Sequence, residues 1–276
     1  MRLMADIQYP PARPLSVGET LDLAVRIYRR TLVKCLVLSG LGVLGSELAT
    51  VYNLARHRYL VQGLNAWRDP WFDLLYVLGL VLSSVLFGAV LLRQHALVTR
   101  HACGGEIVAA LRRLPAYLGM FLFLSFTVGL PFIVLGMGML PLTVALVYLV
   151  LLVGFFGVML SCAWPLLFIK GTGPLQSLTR SWALARGSYW RLTALYSVGL
   201  LILLALWMVF GIVSVSLGVV LGRGDVLVAT ATASLLAVLG AALLFPFYTA
   251  LSLAVLGDLT VRREGADLEQ RIAATA

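Results

Sequence analysis

RPLSVGETLDLAVRIYRRTLVKCLVLSGLGVLG, residues 13–45, opens dense in charge and carries none after Lys34. Ser16 and Glu19 form an S-x-x-E pair, the capping box that starts a helix. At 100° per residue, Val17, Leu21, Ala24, Val25 and Tyr28 share one face, and Glu19, Asp22, Arg26, Arg29 and Arg30 share the other. Such a helix lies in a membrane interface with its basic side toward the headgroups. The uncharged residues that follow then read as a span. The stretch therefore predicts a chain that rests on the inner membrane face and then dives.

Composition agrees. Hydrophobic residues make up 61% of the 276 and charged residues 12%, against about 45–50% and about 25% in a soluble domain. The apolar residues fall in runs, and a bilayer core needs roughly 20 of them per helix. Residues 35–55 hold one charge, Glu47, and residues 74–92, 192–222 and 226–257 hold none. The uncharged run 114–169 is 56 residues long, which is two spans, broken near Pro131, Gly136, Gly138 and Pro141 into about 116–137 and 141–166. The fold class expected is all-α, with six transmembrane helices. The runs lack the apolar–polar alternation of barrel strands.

Of the 21 lysines and arginines, 17 fall on one side of this topology: the N-terminus, 93–113, 170–191 and the C-terminus. The positive side stays in the cytoplasm, so both termini are expected there, in the inner membrane of a bacterium. The net charge of +9 is this topological signal and gives no reason to expect nucleic acid as a partner. Residues 1–14 lack the apolar core of a signal peptide and read as a loose cytoplasmic tail. Cys35, Cys103 and Cys162 all lie on the cytoplasmic half or within spans, so no disulfide is expected.

The opening pattern recurs. GGEIVAALRRLPAYLGMFLF, from Gly104, sets Ile107, Leu111 and Leu114 on one face before Arg112 and Arg113 and a span. GPLQSLTRSWALARGSYWRLTALYSVGLLILL, from Gly173, sets Leu175, Leu178, Trp182 and Ala185 in a stripe. Pro174 suits the first helical turn, and Gly187 stops that helix. The chain divides into a tail (1–14), a six-helix membrane domain (15–257) and a C-terminal tail (258–276). Three units, about 15–97, 104–169 and 173–257, each pair an interfacial amphipathic helix with a transmembrane hairpin.

RPLSVGETLDLAVRIYRR, GPLQSLTRSWALARGSYWRL and GDLTVRREGADLEQRI together resemble the recurring segments of bacterial six-span proteins related to the membrane domain of glycerophosphoryl diester phosphodiesterases and its stand-alone relatives. Asp258, Leu259, Val261 and Arg262 match the family's C-terminal motif, and Thr260 stands where it has an arginine. Fused members continue into a soluble phosphodiesterase. This chain ends at Ala276, so the resemblance implies the membrane domain without the hydrolase.

The residues offer no catalytic or metal-binding pattern, and no cofactor is expected. His57, His95 and His101 have no second ligand at useful spacing. GLGVLG at 40–45 matches a dinucleotide fingerprint in letters but lies inside a span, where small residues let helices approach. GRGD at 222–225 is a tight turn. Glu47 is the candidate intramembrane polar site, beside Ser46, Thr50 and Asn53. Arg29, Arg30, Arg112, Arg113 and Arg191 are candidate headgroup ligands for anionic phospholipid. These readings give a non-enzymatic scaffold or accessory protein engaging lipid or a membrane-protein partner, a second copy included. The alternative is a transporter or lipid-handling permease with a cavity between its hairpins.

Overall fold

Ser16 starts the first helix as its pattern predicts. Its hydroxyl accepts from the Glu19 N–H at 3.3 Å, and the Ser16 N–H donates to the Glu19 carboxylate at 2.7 Å. The computed structural model describes residues 7–57, 69–136, 142–223 and 225–265. Helix α1 runs unbroken over Val17–Ser46. No glycine or proline stands between Gly18 and Gly40, so nothing bends the chain where the charges end. The amphipathic segment and the apolar one are a single rod rather than a surface helix and a span. Its buried face is Thr20, Leu23, Ala24, Ile27, Thr31 and Cys35; Val25, expected on it, is exposed.

Helix α2 (Leu48–His57) leaves α1 at a bend of 48°. Helix α3 (Pro70–Thr99) starts on Asp69, whose carboxylate accepts from the Trp71 N–H at 3.0 Å. Helix α4 (Glu106–Gly136) is again one rod, joining its amphipathic start to its apolar end. Then follow α5 (Leu142–Leu151), a π-helical turn (Leu152–Phe156), α6 (Gly157–Met159) and α7 (Ala163–Lys170). Only the third amphipathic stretch is a helix of its own, α8 (Pro174–Ala185). Pro174 is in its first turn and Gly187, at φ +84°, ends it. Helices α9 (Tyr189–Gly222) and α10 (Val226–Glu264) complete the chain, and no strand occurs among the described residues.

Helices α3, α4, α9 and α10 are each long and apolar enough to cross a membrane, and α1 with α2 makes a fifth if that bent pair is one span. The chain is a multi-pass membrane protein. Among the six spans expected, 141–166 is not one helix. Pro165 has no N–H for the carbonyl four residues back, and the helix restarts at Ala163, where Pro165 falls in a first turn that needs no donor. Of the residues expected to break the run, Pro131 lies inside α4 and Gly136 is its last residue, and Gly138 and Pro141 lie outside the described residues.

Helix α10 is the spine: α9 and α1 pack along it, α3 packs on α1, α4 on α3, and α7 and α8 wedge among α3, α4 and α10. Glycines set the close approaches. A Cβ at Gly79 would lie 2.5 Å from the Gly45 carbonyl, and one at Gly222 would lie 2.7 Å from the Ala229 Cβ. Of the GLGVLG glycines, Gly42 and Gly45 serve packing of α1 on α3, and Gly40 faces Ala242 of α10. Outward faces are apolar, as lipid contact requires: Leu200, Leu201, Trp207 and Val220 of α9 are exposed.

Pro246, inside α10, cannot donate to the Ala242 carbonyl. Ser39 of α1 donates to it instead at 2.7 Å. Close by, fully buried Gln94 of α3 donates to Thr31 (3.1 Å) and to the Pro246 carbonyl (2.9 Å), and accepts from Thr249 (2.7 Å). Three helices are tied by polar groups that have no water to turn to.

Both tails differ from expectation. Residues 7–14 are docked: Ile7 and Pro11 are buried, and Tyr9 donates to the Leu253 carbonyl at 3.2 Å and meets His95 edge-on. Desolvation by that packing raises the Tyr9 phenol above its ordinary pKa. Residues 258–264 continue α10, because no breaker occurs before Gly265 at φ +67°.

Candidate functional site

At one end of the bundle Asp258 is fully buried, with 1% of its side chain exposed. Its carboxylate accepts from Arg191 at 2.5 Å, from Arg262 one turn on at 3.1 Å, and from the Leu15 N–H at 2.7 Å. Arg191 also donates to the Leu15 carbonyl (2.6 Å) and to Thr20 (3.3 Å), and Arg262 donates to the same carbonyl. The chain segments that carried the family resemblance, at Leu15, Arg191 and Asp258–Arg262, therefore meet at one point. A buried carboxylate survives only when paired and hydrogen-bonded. Here two guanidinium groups and a backbone N–H do this, and in doing so they latch the N-terminal segment and α9 to the end of α10.

The candidate arginines separate into two kinds. Arg29 and Arg30 of α1 and Arg112 of α4 are exposed. Arg113 is half-buried and Arg191 is committed to the latch. On α4 the expected face is turned partly outward: Ile107 and Leu111 are exposed and Leu114 is half-buried against the core, whereas Ala110 is buried and Glu106 and Arg113 are half-buried. A stripe of apolar residues points outward when the solvent is lipid, and the small and polar residues then point in. The third stripe is divided, with Leu178 and Ala185 buried and Leu175 exposed.

That turn of the face builds a pocket of about 280 Å³ that sequence reasoning missed. His95 of α3, His101 of the following loop, and Glu106 and Arg113 of α4 line it, with Gly104 and Gly105 at positive φ in the loop between. His101 Nδ1 lies 2.7 Å from the Thr99 hydroxyl. Glu106 Oε1 and Arg113 Nη1 are buried and make no hydrogen bond among the described residues. The spacing of Glu106, Ala109 and Arg113 by three and four was the one available signal. The histidines come from another element, and no spacing rule joins them to it. Among the described residues no group of three His, Cys, Asp or Glu side chains is arranged to hold a metal.

Glu47 stands at the bend between α1 and α2, half-buried. Its N–H bonds the Val43 and Leu44 carbonyls at 3.2 Å, and its carbonyl accepts from Val51 at 2.8 Å. Its backbone thus caps one helix and opens the next.

Two apolar cavities lie farther along α4. One, of about 740 Å³, is bounded by Phe123 and Leu124 of α4, Phe156 of the π-helical turn, Trp164, Trp182 of α8 and Tyr248 of α10. The other, of about 280 Å³, shares Leu124, Trp164 and Tyr248 and adds Phe87, Tyr117 and Phe245. Glu47 lines neither. Compared with protein-family models, curated proteins and solved structures, the chain matches none.

Proposed function

We propose that this chain is a non-enzymatic scaffold or accessory protein of the bacterial inner membrane that engages anionic phospholipid, and through it or beside it a partner protein, at its basic end. In this reading both termini are cytoplasmic. The chain crosses six times in three repeated units, and the family it resembles is that of the phosphodiesterase membrane domain. The observation that carries the reading is the exposure of Arg29 and Arg30, midway along α1 where its charges give way to apolar residues, and of Arg112 in the second turn of α4. Guanidinium matches phosphate geometry, and each basic residue beside an anionic leaflet contributes about 1 kcal/mol. Native mass spectrometry tests it. A variant with Arg29, Arg30 and Arg112 changed to Gln should retain phosphatidylglycerol or cardiolipin less well by on the order of a hundredfold. Equal retention by two folded proteins would leave these arginines a topological role only.

The second reading, a lipid-handling permease, is favoured by the 740 Å³ cavity between the helices. It makes Glu47 a coupling group. Glu47→Gln should then abolish a proton- or cation-dependent activity at normal protein abundance, whereas a structural Glu47 tolerates the neutral amide.

A further inference from the structure

Glu106, Arg113, Tyr117, Phe121, Leu124 and Thr127 follow one another at intervals of three, four and seven residues, so they share one face of α4. The first two line the polar pocket, and the rest line the apolar cavities. From Arg113 to Tyr117 is one helical turn. Along this face a polar chamber is succeeded by an apolar slot, in the order of an amphiphile's head and chain.

The head chamber contains both signs of charge. Glu106 and Arg113 are half-buried, with their Cα atoms about 10 Å apart along the axis. Glu106 Oε1 and Arg113 Nη1 are buried and bond neither to each other nor to any other described residue. A buried polar atom without a partner is costly. A purely anionic head would serve Arg113 and confront Glu106. A head with a phosphate and an ammonium would serve both. The slot beyond is aromatic and aliphatic, bounded by Phe87, Trp164, Phe245 and Tyr248, and suits hydrocarbon.

We propose that the inward face of α4 holds one zwitterionic, amine-bearing phospholipid: its phosphate on Arg113 with His95 and His101 alongside, its ammonium on Glu106, and an acyl chain in the slot under Trp164 and Tyr248. This rests on the membrane setting of the proposed function but makes no use of Arg29, Arg30 or Arg112.

The test offers the purified protein equimolar phosphatidylethanolamine and phosphatidylglycerol and counts retained lipid by native mass spectrometry. The wild type should keep one phosphatidylethanolamine. Glu106→Gln should lower its preference over phosphatidylglycerol about tenfold, the discrimination of one charge-assisted hydrogen bond. Leu124→Trp, which fills the slot, should expel it. A folded Glu106→Gln protein with the wild-type ratio overturns the proposal. Should that variant not fold, the wild type itself decides, against N-acetylated phosphatidylethanolamine, which keeps phosphate and chains and loses the ammonium. Equal retention of the acetylated and free lipids overturns the proposal too. The two lipid readings fail separately. Loss of phosphatidylglycerol in the Arg29, Arg30, Arg112 variant concerns the exposed arginines, and loss of phosphatidylethanolamine in Glu106→Gln concerns this site.

Discussion

Asp258 accepts more charge-assisted hydrogen bonds than any single partner could satisfy alone, and its two arginines are not equivalent. Arg191 has 19% of its side chain exposed and reaches Asp258 from another helix, whereas Arg262 has 31% exposed, pairs with Asp258 within its own helix and reaches across only to the Leu15 carbonyl. Removing one side of a buried pair costs about 3–5 kcal/mol, because the other charge is left behind. Arg191→Met should therefore lower the melting temperature far more than Arg262→Gln, an i,i+4 pair worth under about 1 kcal/mol. Replacing both Arg191 and Asp258 by apolar residues should recover part of the loss. A thiol-reactive dye can follow the melt, since Cys35 and Cys162 are buried and free. If the double variant were less stable than Arg191→Met alone, the latch would owe its worth to something other than charge pairing.

At the scale of the element, the Pro246 break in α10 and the Ser39 hydroxyl are one device. Ser39→Ala should cost about 1 kcal/mol by orphaning the Ala242 carbonyl. In a Pro246→Ala background an N–H returns at position 246, and Ser39→Ala should be nearly silent. A double-mutant cycle reads the difference as coupling; additive effects would show that the two residues act independently. Helix ends were legible in the sequence, because the Ser16–Glu19 box, Pro174 and Gly187 each satisfy or refuse a particular backbone group. Helix continuity was not. The arginines at 29–30 and 112–113 mark a change of solvent, and a change of solvent does not bend a helix that has no breaker there. Nor was the inward face of α4 legible. Hydrophobic periodicity finds an apolar stripe, and in a membrane that stripe points outward as readily as inward. The polar pocket was hidden twice over, by that reversal and by its assembly from two helices and a loop.

At the scale of the molecule, four or five apolar helices among the described residues carry the membrane reading, while orientation rests on the distribution of arginines. The exposed Cys103 tests it, lying between α3 and α4 at the arginine-rich end. A membrane-impermeant maleimide should modify it in inverted vesicles and leave it untouched in intact spheroplasts, with Cys35 and Cys162 unmodified in both. Labelling of Cys103 in spheroplasts would turn the whole topology over. What sequence showed of the candidate site at this scale was partial: the segments resembling a family were those that converge at the latch, yet letters alone gave no sign that they touch.

That convergence also sets a schedule. Leu15 and Asp258 are 243 positions apart, and ribosomes add about 5–20 residues per second. The first helix therefore waits on the order of tens of seconds after its own synthesis before its anchor exists. Through that interval Arg191, once made, has no carboxylate to meet, and residues 7–15 have no α10 to dock on. Chains released with an end before position 253 should present an unsheltered amino-terminal arm to proteases, and released chains that include Asp258 and Arg262 should not. The last helix thus completes the shelter of the amino-terminal arm as well as forming a wall of the bundle.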